Sequence, residues 1–183
     1  MSYDLALAKS WLDLEGWTKE KKFSVSLLAD EYEIDAQEKR ILSLSCNAPS
    51  KDYLSVLILH YLIKELKGLP ALSGEWISFK ELAGGEGYFT AFKKRVIDPI
   101  ARKYGSNPRA LFDLSKRFKV KKSELAPAGV ELEVLKNVSF LITVEAADDE
   151  FGASANLLFD KNIKDVFCTE DVTVLAEFVA HNI

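Results

Sequence analysis

The sequence predicts an α+β fold in a single domain, with antiparallel sheets and four to five helices packed on them. Three observations lead there. Apolar residues alternate at period two in two separate blocks, residues 23–46 and 130–159. Around these blocks they recur at helical spacing. The chain of 183 residues, 48% hydrophobic and 28% charged, has the composition of a globular protein long enough to bury a sizeable core.

In chain order, Leu5, Ala8, Trp11, Leu12 and Leu14 to Trp17 predict an N-terminal helix closing near Gly16. Phe23, Val25 and Leu27, then Tyr32, Ile34 and Ala36, then Leu42, Leu44 and Cys46 alternate with polar residues. They predict a three-stranded meander with one wet face and turns near Asp30 and Gln37, completing a first segment over 1–46. Ser50 is placed to cap a helix whose Leu54, Leu57, Ile58, Tyr61, Leu62 and Leu66 form an apolar stripe ending at Gly68 and Pro70. A short strand over 76–79 leads into Gly84, Gly85 and Gly87, after which Phe89, Phe92, Val96 and Ile100 continue at helical spacing. Pro99 should kink or split that helix, and Pro108 opens another with Leu111, Leu114 and Phe118 inward, closing a helical middle of residues 50–120.

The last segment, 128–183, reads as strands and a helix. Val130, Leu132 and Val134 alternate with Glu131 and Glu133; 138–144 is more continuously apolar; Ala155, Leu157 and Phe159 make a third strand. Thr169 is placed to cap the closing helix, with Glu170 and Asp171 in its first turn and Val172, Leu175, Ala176 and Val179 inward. No repeat, low-complexity run or linker divides the chain.

Composition also excludes. No stretch approaches the roughly 18 apolar residues of a membrane span, and the first residues lack the basic-then-apolar pattern of a signal peptide, so the expected location is the cytoplasm. Cys46 and Cys168 belong to no Cys-x-x-Cys pair and read as reduced, partly buried thiols. With His60 and His181 the only histidines, the four Cys or His ligands of a closed zinc or iron–sulfur site are not at hand. No metal site and no cofactor is assigned, and any metal would be a hard cation held by carboxylates.

Charge is distributed unevenly. Residues 93–122 carry eleven basic and two acidic groups, and residues 123–183 carry three and twelve, within a formal net charge of −4. On solvent faces of successive helices, Lys93, Lys94, Arg95, Arg102, Lys103, Arg109, Lys116, Arg117, Lys119, Lys121 and Lys122 would make a positive patch attractive to nucleic acid, a phosphorylated ligand or an acidic partner. The plainer reading pairs this segment with the acidic C-terminal third or with solvent. A pI near 5.3 and sparse aromatic interleaving, with Tyr104, Phe112 and Phe118 inward, argue against nucleic acid.

Four places offer chemistry, each with a structural alternative. The run from Ala83 to Tyr88, containing Gly84, Gly85 and Gly87, could hold an anion on backbone amides, though it has neither a Walker ending nor Gly-x-Gly-x-x-Gly, and a glycine-rich turn that simply starts a helix is the favoured reading. Asp148, Asp149, Glu150, Asp160, Asp165, Glu170 and Asp171 could bind Mg²⁺ or Ca²⁺, or supply an acid or base, if strand and helix ends converge; a structural role, with Glu170 and Asp171 explained by capping, is the favoured reading. His60 lies beside the apolar stripe of its helix, where a structural hydrogen bond competes with catalysis. Cys168 precedes a helix start that can lower a thiol pKa.

The strings Leu57-Ile58-Leu59-His60-Tyr61-Leu62 and Gly74-Glu75-Trp76-Ile77-Ser78-Phe79-Lys80-Glu81-Leu82, then Gly85, Tyr88 and Phe92, resemble the family called domain of unknown function 3786. Asp149-Glu150-Phe151, Ala153-Ser154-Ala155-Asn156, Leu158-Phe159-Asp160 and Thr169-Glu170-Asp171-Val172 look like its second block. The resemblance implies a domain found in anaerobic bacteria and archaea, some members of which add a cysteine-rich iron–sulfur segment. This chain lacks such a segment, so cluster binding and electron transfer do not carry over. Lys136 and Asn137 replace an expected proline turn, Ala146 and Ala147 an expected Trp, and Gly152 an expected proline, so a relative's pocket built on that Trp would be altered here. The family has no established reaction. The functional expectation is an accessory protein that binds a small ligand or a partner protein, with a place in anaerobic metabolism. Its alternatives are a carboxylate enzyme, with or without Mg²⁺, and a polyanion-binding protein. Oligomeric state is not legible. His60, Tyr61, Trp76, Gly85 and Tyr88, with the acids 149, 150, 160, 170 and 171, are the candidate binding residues.

Overall fold

A computed structural model describes residues 3–183 and divides the chain into two compact units, Met1–Pro70 and Ala71–Ile183. The boundary at Pro70 falls inside the segment read as the helical middle. Both units are α+β, each with an antiparallel sheet.

The first unit runs α1 (Asp4–Trp17), β1 (Lys22–Leu27), β2 (Asp30–Asp35), β3 (Arg40–Ser43), β4 (Ala48–Pro49) and α2 (Asp52–Lys67). Its sheet has the order β1-β2-β3-β4. Val25, Leu27, Tyr32 and Ile34 are buried, as the period-two pattern requires, and Val25 pairs with Tyr32; the third strand has the opposite phase to the expected one, with Ile41, paired with Ile34, and Ser43 buried and Leu42 half-buried. Two carboxylates set the turns. Asp35 accepts the N–H groups of Gln37 and Glu38, both at 3.0 Å, closing the β2–β3 turn. Asp30 accepts the Ser43 hydroxyl (2.5 Å) and the N–H (3.0 Å) and hydroxyl (2.6 Å) of Ser45, which folds the β3–β4 turn back. Because Asp30 opens β2, the first hairpin turn is Leu28–Ala29, with Leu28 at φ 55.

The meander has a fourth, two-residue strand that alternation cannot register. Leu44 and Cys46, expected in the third strand, lie exposed beyond it. Helix α2 starts one residue later than expected, with Lys51 rather than Ser50 as its N-cap, and the Ser50 hydroxyl donates to Lys51 O at 3.4 Å. It packs against α1 and buries Leu54, Val56, Leu57, Ile58, Leu59, Tyr61, Leu62 and Ile63, more of its circumference than the predicted stripe.

The second unit contains β5 (Trp76–Ile77), α3 (Gly85–Phe92), α4 (Asp98–Tyr104), β6 (Val120–Lys122), β7 (Gly129–Leu135), β8 (Val138–Glu145), β9 (Ser154–Asp160), α5 (Ile163–Val166) and α6 (Thr169–Asn182). A five-stranded sheet has the order β5-β9-β8-β7-β6, every pair antiparallel. Six α-helices among the described residues exceed the expected four to five, because α5 is a single turn and the 85–104 helix is divided. That division answers Pro99. Residues Lys93–Ile97 form a π-turn between α3 and α4, which displaces the carbonyl that a proline ring would strike in a regular helix. The segment Pro108–Lys116 is a 3₁₀-helix, not an α-helix, and still turns Leu111 and Leu114 inward. Cys168, not Thr169, occupies the N-cap of α6; the Thr169 hydroxyl instead donates to Ala83 O at 2.8 Å.

An aromatic stack joins helix to sheet in this unit. Phe79 and Phe92 stack at 3.9 Å between centroids, Phe92 meets Phe159 edge-on at 6.3 Å, and Phe159 meets Phe140 edge-on at 4.9 Å. All four are at most 1% exposed, so each contributes a full aromatic burial plus its ring geometry. No helix of the described residues is long and apolar enough to cross a membrane. Phe92→Ala should lower the unfolding free energy by about 3–5 kcal/mol, measured by urea denaturation. A loss below about 1 kcal/mol would show that the stack does not hold the helix to the sheet.

Candidate functional site

Asp160, the last residue of β9 and 2% exposed, has the most elaborate surroundings of the candidate acids. Its Oδ1 accepts the Ser73 N–H (2.9 Å), the Ser73 hydroxyl (2.8 Å) and the Asn162 N–H (3.0 Å), and its Oδ2 accepts the Gly74 N–H (2.8 Å). Burial works to raise its pKa, but the hydrogen bonds from Ser73, Asn162 and Gly74 outweigh it and hold the carboxyl below its ordinary value. The carboxylate thereby fastens the Ser73–Gly74 turn, where Gly74 stands at φ 73, to the end of the sheet. Asn162 extends the knot, its Nδ2 donating to Asn137 O (2.8 Å) and Ala71 O (3.3 Å).

The other candidate acids lie elsewhere. Asp148 accepts the N–H groups of Phe151 (2.6 Å) and Glu150 (2.9 Å), which lower its pKa, and Asp149 and Glu150 are exposed on the same turn. That loop precedes β9 and Asp160 ends it, so seven strand residues place them roughly 20 Å apart along the sheet. Glu170 is exposed in the first turn of α6, where an acid complements the helix dipole. Asp171, 8% exposed, lies 3.2 Å from the Cys168 thiol, which donates to it. Among the described residues, no three His, Cys, Asp or Glu side chains group as a metal site would need.

Both cysteines are exposed, contrary to the expectation of partly buried thiols. For Cys168 the expected lowering by the helix start is overridden: withdrawal of the sulfur from water, with the Asp171 charge, pushes its pKa up despite the Asp171 and Glu170 amides.

His60 finds a partner that its own neighbourhood in the sequence does not reveal. Its Nε2 lies 3.1 Å from Ser10 Oγ on α1, and the Ser10 hydroxyl donates to Ala6 O at 2.9 Å. Serine and histidine stand as a nucleophile and base would, yet Ser10 is 1% exposed, and the bond instead joins α1 to α2. Tyr61 is buried at 2%.

Gly85 earns its place by packing. A Cβ there would lie 1.9 Å from the Phe79 carbonyl oxygen, and the Gly85 N–H already donates to Leu82 O at 2.9 Å. Trp76 is half-buried opposite Asp160 in the β5–β9 pair. Tyr88, 41% exposed, accepts a hydrogen bond from Arg95 (2.9 Å), which also pairs with Glu177 (3.2 Å).

The basic segment is partly neutralised within the chain. Lys93 pairs with Asp98, Arg95 with Glu177, Lys116 with Asp113 and Lys119 with Glu133. Lys94, Arg102, Arg109, Arg117, Lys121 and Lys122 are exposed, and among the described residues none of them has a carboxylate at ion-pair distance. Arg117 lies over the Phe118 ring at 4.9 Å and Lys122 over Phe112 at 5.1 Å. Lys122, Ser123, Glu124, Leu125, Ala126 and Pro127 line an open hollow beside them.

The chain belongs to the family described as Domain of unknown function (DUF3786), whose model matches residues 8–182. No curated protein and no solved structure matches it.

Asp160→Ala should lower stability by about 1–3 kcal/mol, because it removes the acceptor of four hydrogen bonds and leaves the buried Asn162 N–H without it. The pH dependence has a definite sign. A folded-state pKa below the unfolded one gives stability that is present above the ordinary value of 3.8 and lost as pH falls through the lower folded value. Urea denaturation from pH 7 to pH 3 should therefore show a steeper acid loss for wild type than for Asp160→Asn. Equal slopes would contradict an ionised, hydrogen-bonded Asp160.

Proposed function

We propose that this member of the DUF3786 family is an accessory binding protein that takes an acidic segment of another protein on the basic surface of residues 108–122. One observation carries the reading: Arg109, Arg117, Lys121 and Lys122 are exposed within fifteen residues, without carboxylate partners among the described residues. Unneutralised positive potential concentrates negative ligands and speeds their encounter. The acids favour binding over catalysis from the other side. Asp160 is engaged by four donors, Asp148 closes its own turn, and Glu170 and Asp171 lie in the first turn of a helix.

A polypeptide fits better than a nucleic acid. Tyr104 and Phe118 are 5% and 7% exposed, and Phe112 is covered by Lys122, so the aromatic faces on which bases would stack are occupied.

Labelled poly-L-glutamate, followed by fluorescence anisotropy, tests this. It should bind wild type, weaken with added salt, and lose at least about tenfold in affinity to the Lys121→Glu/Lys122→Glu variant. Undiminished binding by that variant, or tighter binding of single-stranded DNA than of polyglutamate by wild type, would contradict the proposal.

A further inference from the structure

Strand β6 is an edge of the five-stranded sheet, and its hydrogen-bonding pattern says which backbone groups face outward. The Ser123 N–H donates to Gly129 O at 2.9 Å and the Glu133 N–H to Lys119 O at 3.0 Å. In an antiparallel ladder the bonded pairs alternate, so 119, 121 and 123 turn their N–H and C=O toward β7, while Val120 and Lys122 turn theirs away. An edge of this kind templates a further strand unless something prevents it. Lysine is that barrier for most strands, and for a second copy of this edge, which would bring Lys119, Lys121 and Lys122 against their like. For an acidic strand the same lysines attract.

The side chains are arranged for two-sided contact. Alternation puts Lys121 on one face of the edge and Lys122 on the other, and Lys122 is held over Phe112 rather than folded onto an acid. Arg117, held over Phe118 just before the strand, stands within the same short segment. Val120 is half-buried, leaving a small apolar surface between cations.

We propose that β6 accepts an acidic, extended segment of a partner protein as a sixth strand, paired through the N–H and C=O groups of Val120 and Lys122, with Lys121, Lys122 and Arg117 meeting its carboxylates. This rests on the acidic-partner reading above and adds the mode of docking to it. Opposite Val120 such a strand would carry a β-branched residue, and opposite Lys121 and Lys122, on the two faces, Glu or Asp.

The test uses the full chain and a labelled Glu-Glu-Val-Glu-Glu-Val peptide, which sets acids against both lysines and valine against Val120, with a second peptide of the same sequence N-methylated on alternate amides. N-methylation removes edge donors and keeps every charge. The unmodified peptide should bind at least about tenfold tighter than the methylated one, and Lys121→Glu/Lys122→Glu should abolish that preference. Equal affinity of the two peptides overturns strand addition while leaving acidic docking in place. Failure of both this peptide and polyglutamate to bind overturns the functional reading as well.

Discussion

The carboxylate of Asp160 is the constraint on which the second unit depends. Four donors from Ser73, Gly74 and Asn162 converge on it at 2.8–3.0 Å, and through them the chain that enters the unit is bound to the far end of β9. Trp76 and Ile77 can then pair with Asp160 and Phe159 as the edge strand β5. Phe79, two residues on, reaches the stack with Phe92 and Phe159. A buried charge is tolerated because its hydrogen bonds replace the water it has lost. The polar knot and the aromatic stack therefore fix the same stretch of chain from opposite chemistries, one directional and one area-driven.

That arrangement shapes what the molecule can do. A carboxylate held ionised by four donors is a poor general acid, whereas a raised pKa in a cleft would have marked a catalytic candidate. The remaining acids are separated by strand length or sit in a loop turn or a helix start. The cations follow the opposite logic. Four of the eleven in residues 93–122 pair with carboxylates of the same chain, and six are exposed with none among the described residues. Two of those six, Lys121 and Lys122, lie on the edge strand β6.

Much of the architecture was legible because it is written in short-range pattern. Period two located β1, β2, β7 and β9, a continuous apolar run located β8, and the Leu54–Leu66 stripe located α2. What was missed was either too short for a pattern or set at long range. β4 has two residues and β6 three, and the Lys119–Lys122 run looks like helix surface until its pairing with β7 is known. The cap shifts at Lys51 and Cys168 reflect side chains recruited elsewhere, as when the Thr169 hydroxyl bonds Ala83 O. At the candidate site, Asp160 was picked out as an acid at a strand end, but its partners lie 86 and 87 residues earlier. His60 was likewise recognised, and its partner Ser10 is 50 residues away. Local composition carries no signal for such pairs. Gly85 was noted as a possible anion-binding residue, while the close approach of Phe79 O that requires a glycine is visible only in three dimensions.

The most direct measurement of the account is an NMR titration of the Asp160 side-chain carboxyl carbon in the intact chain. The structure predicts that its resonance still reports an ionised group at pH 3.8, the ordinary midpoint for an aspartate. A midpoint above that value would mean a carboxyl that keeps its proton, and it would return Asp160 to the list of catalytic acids.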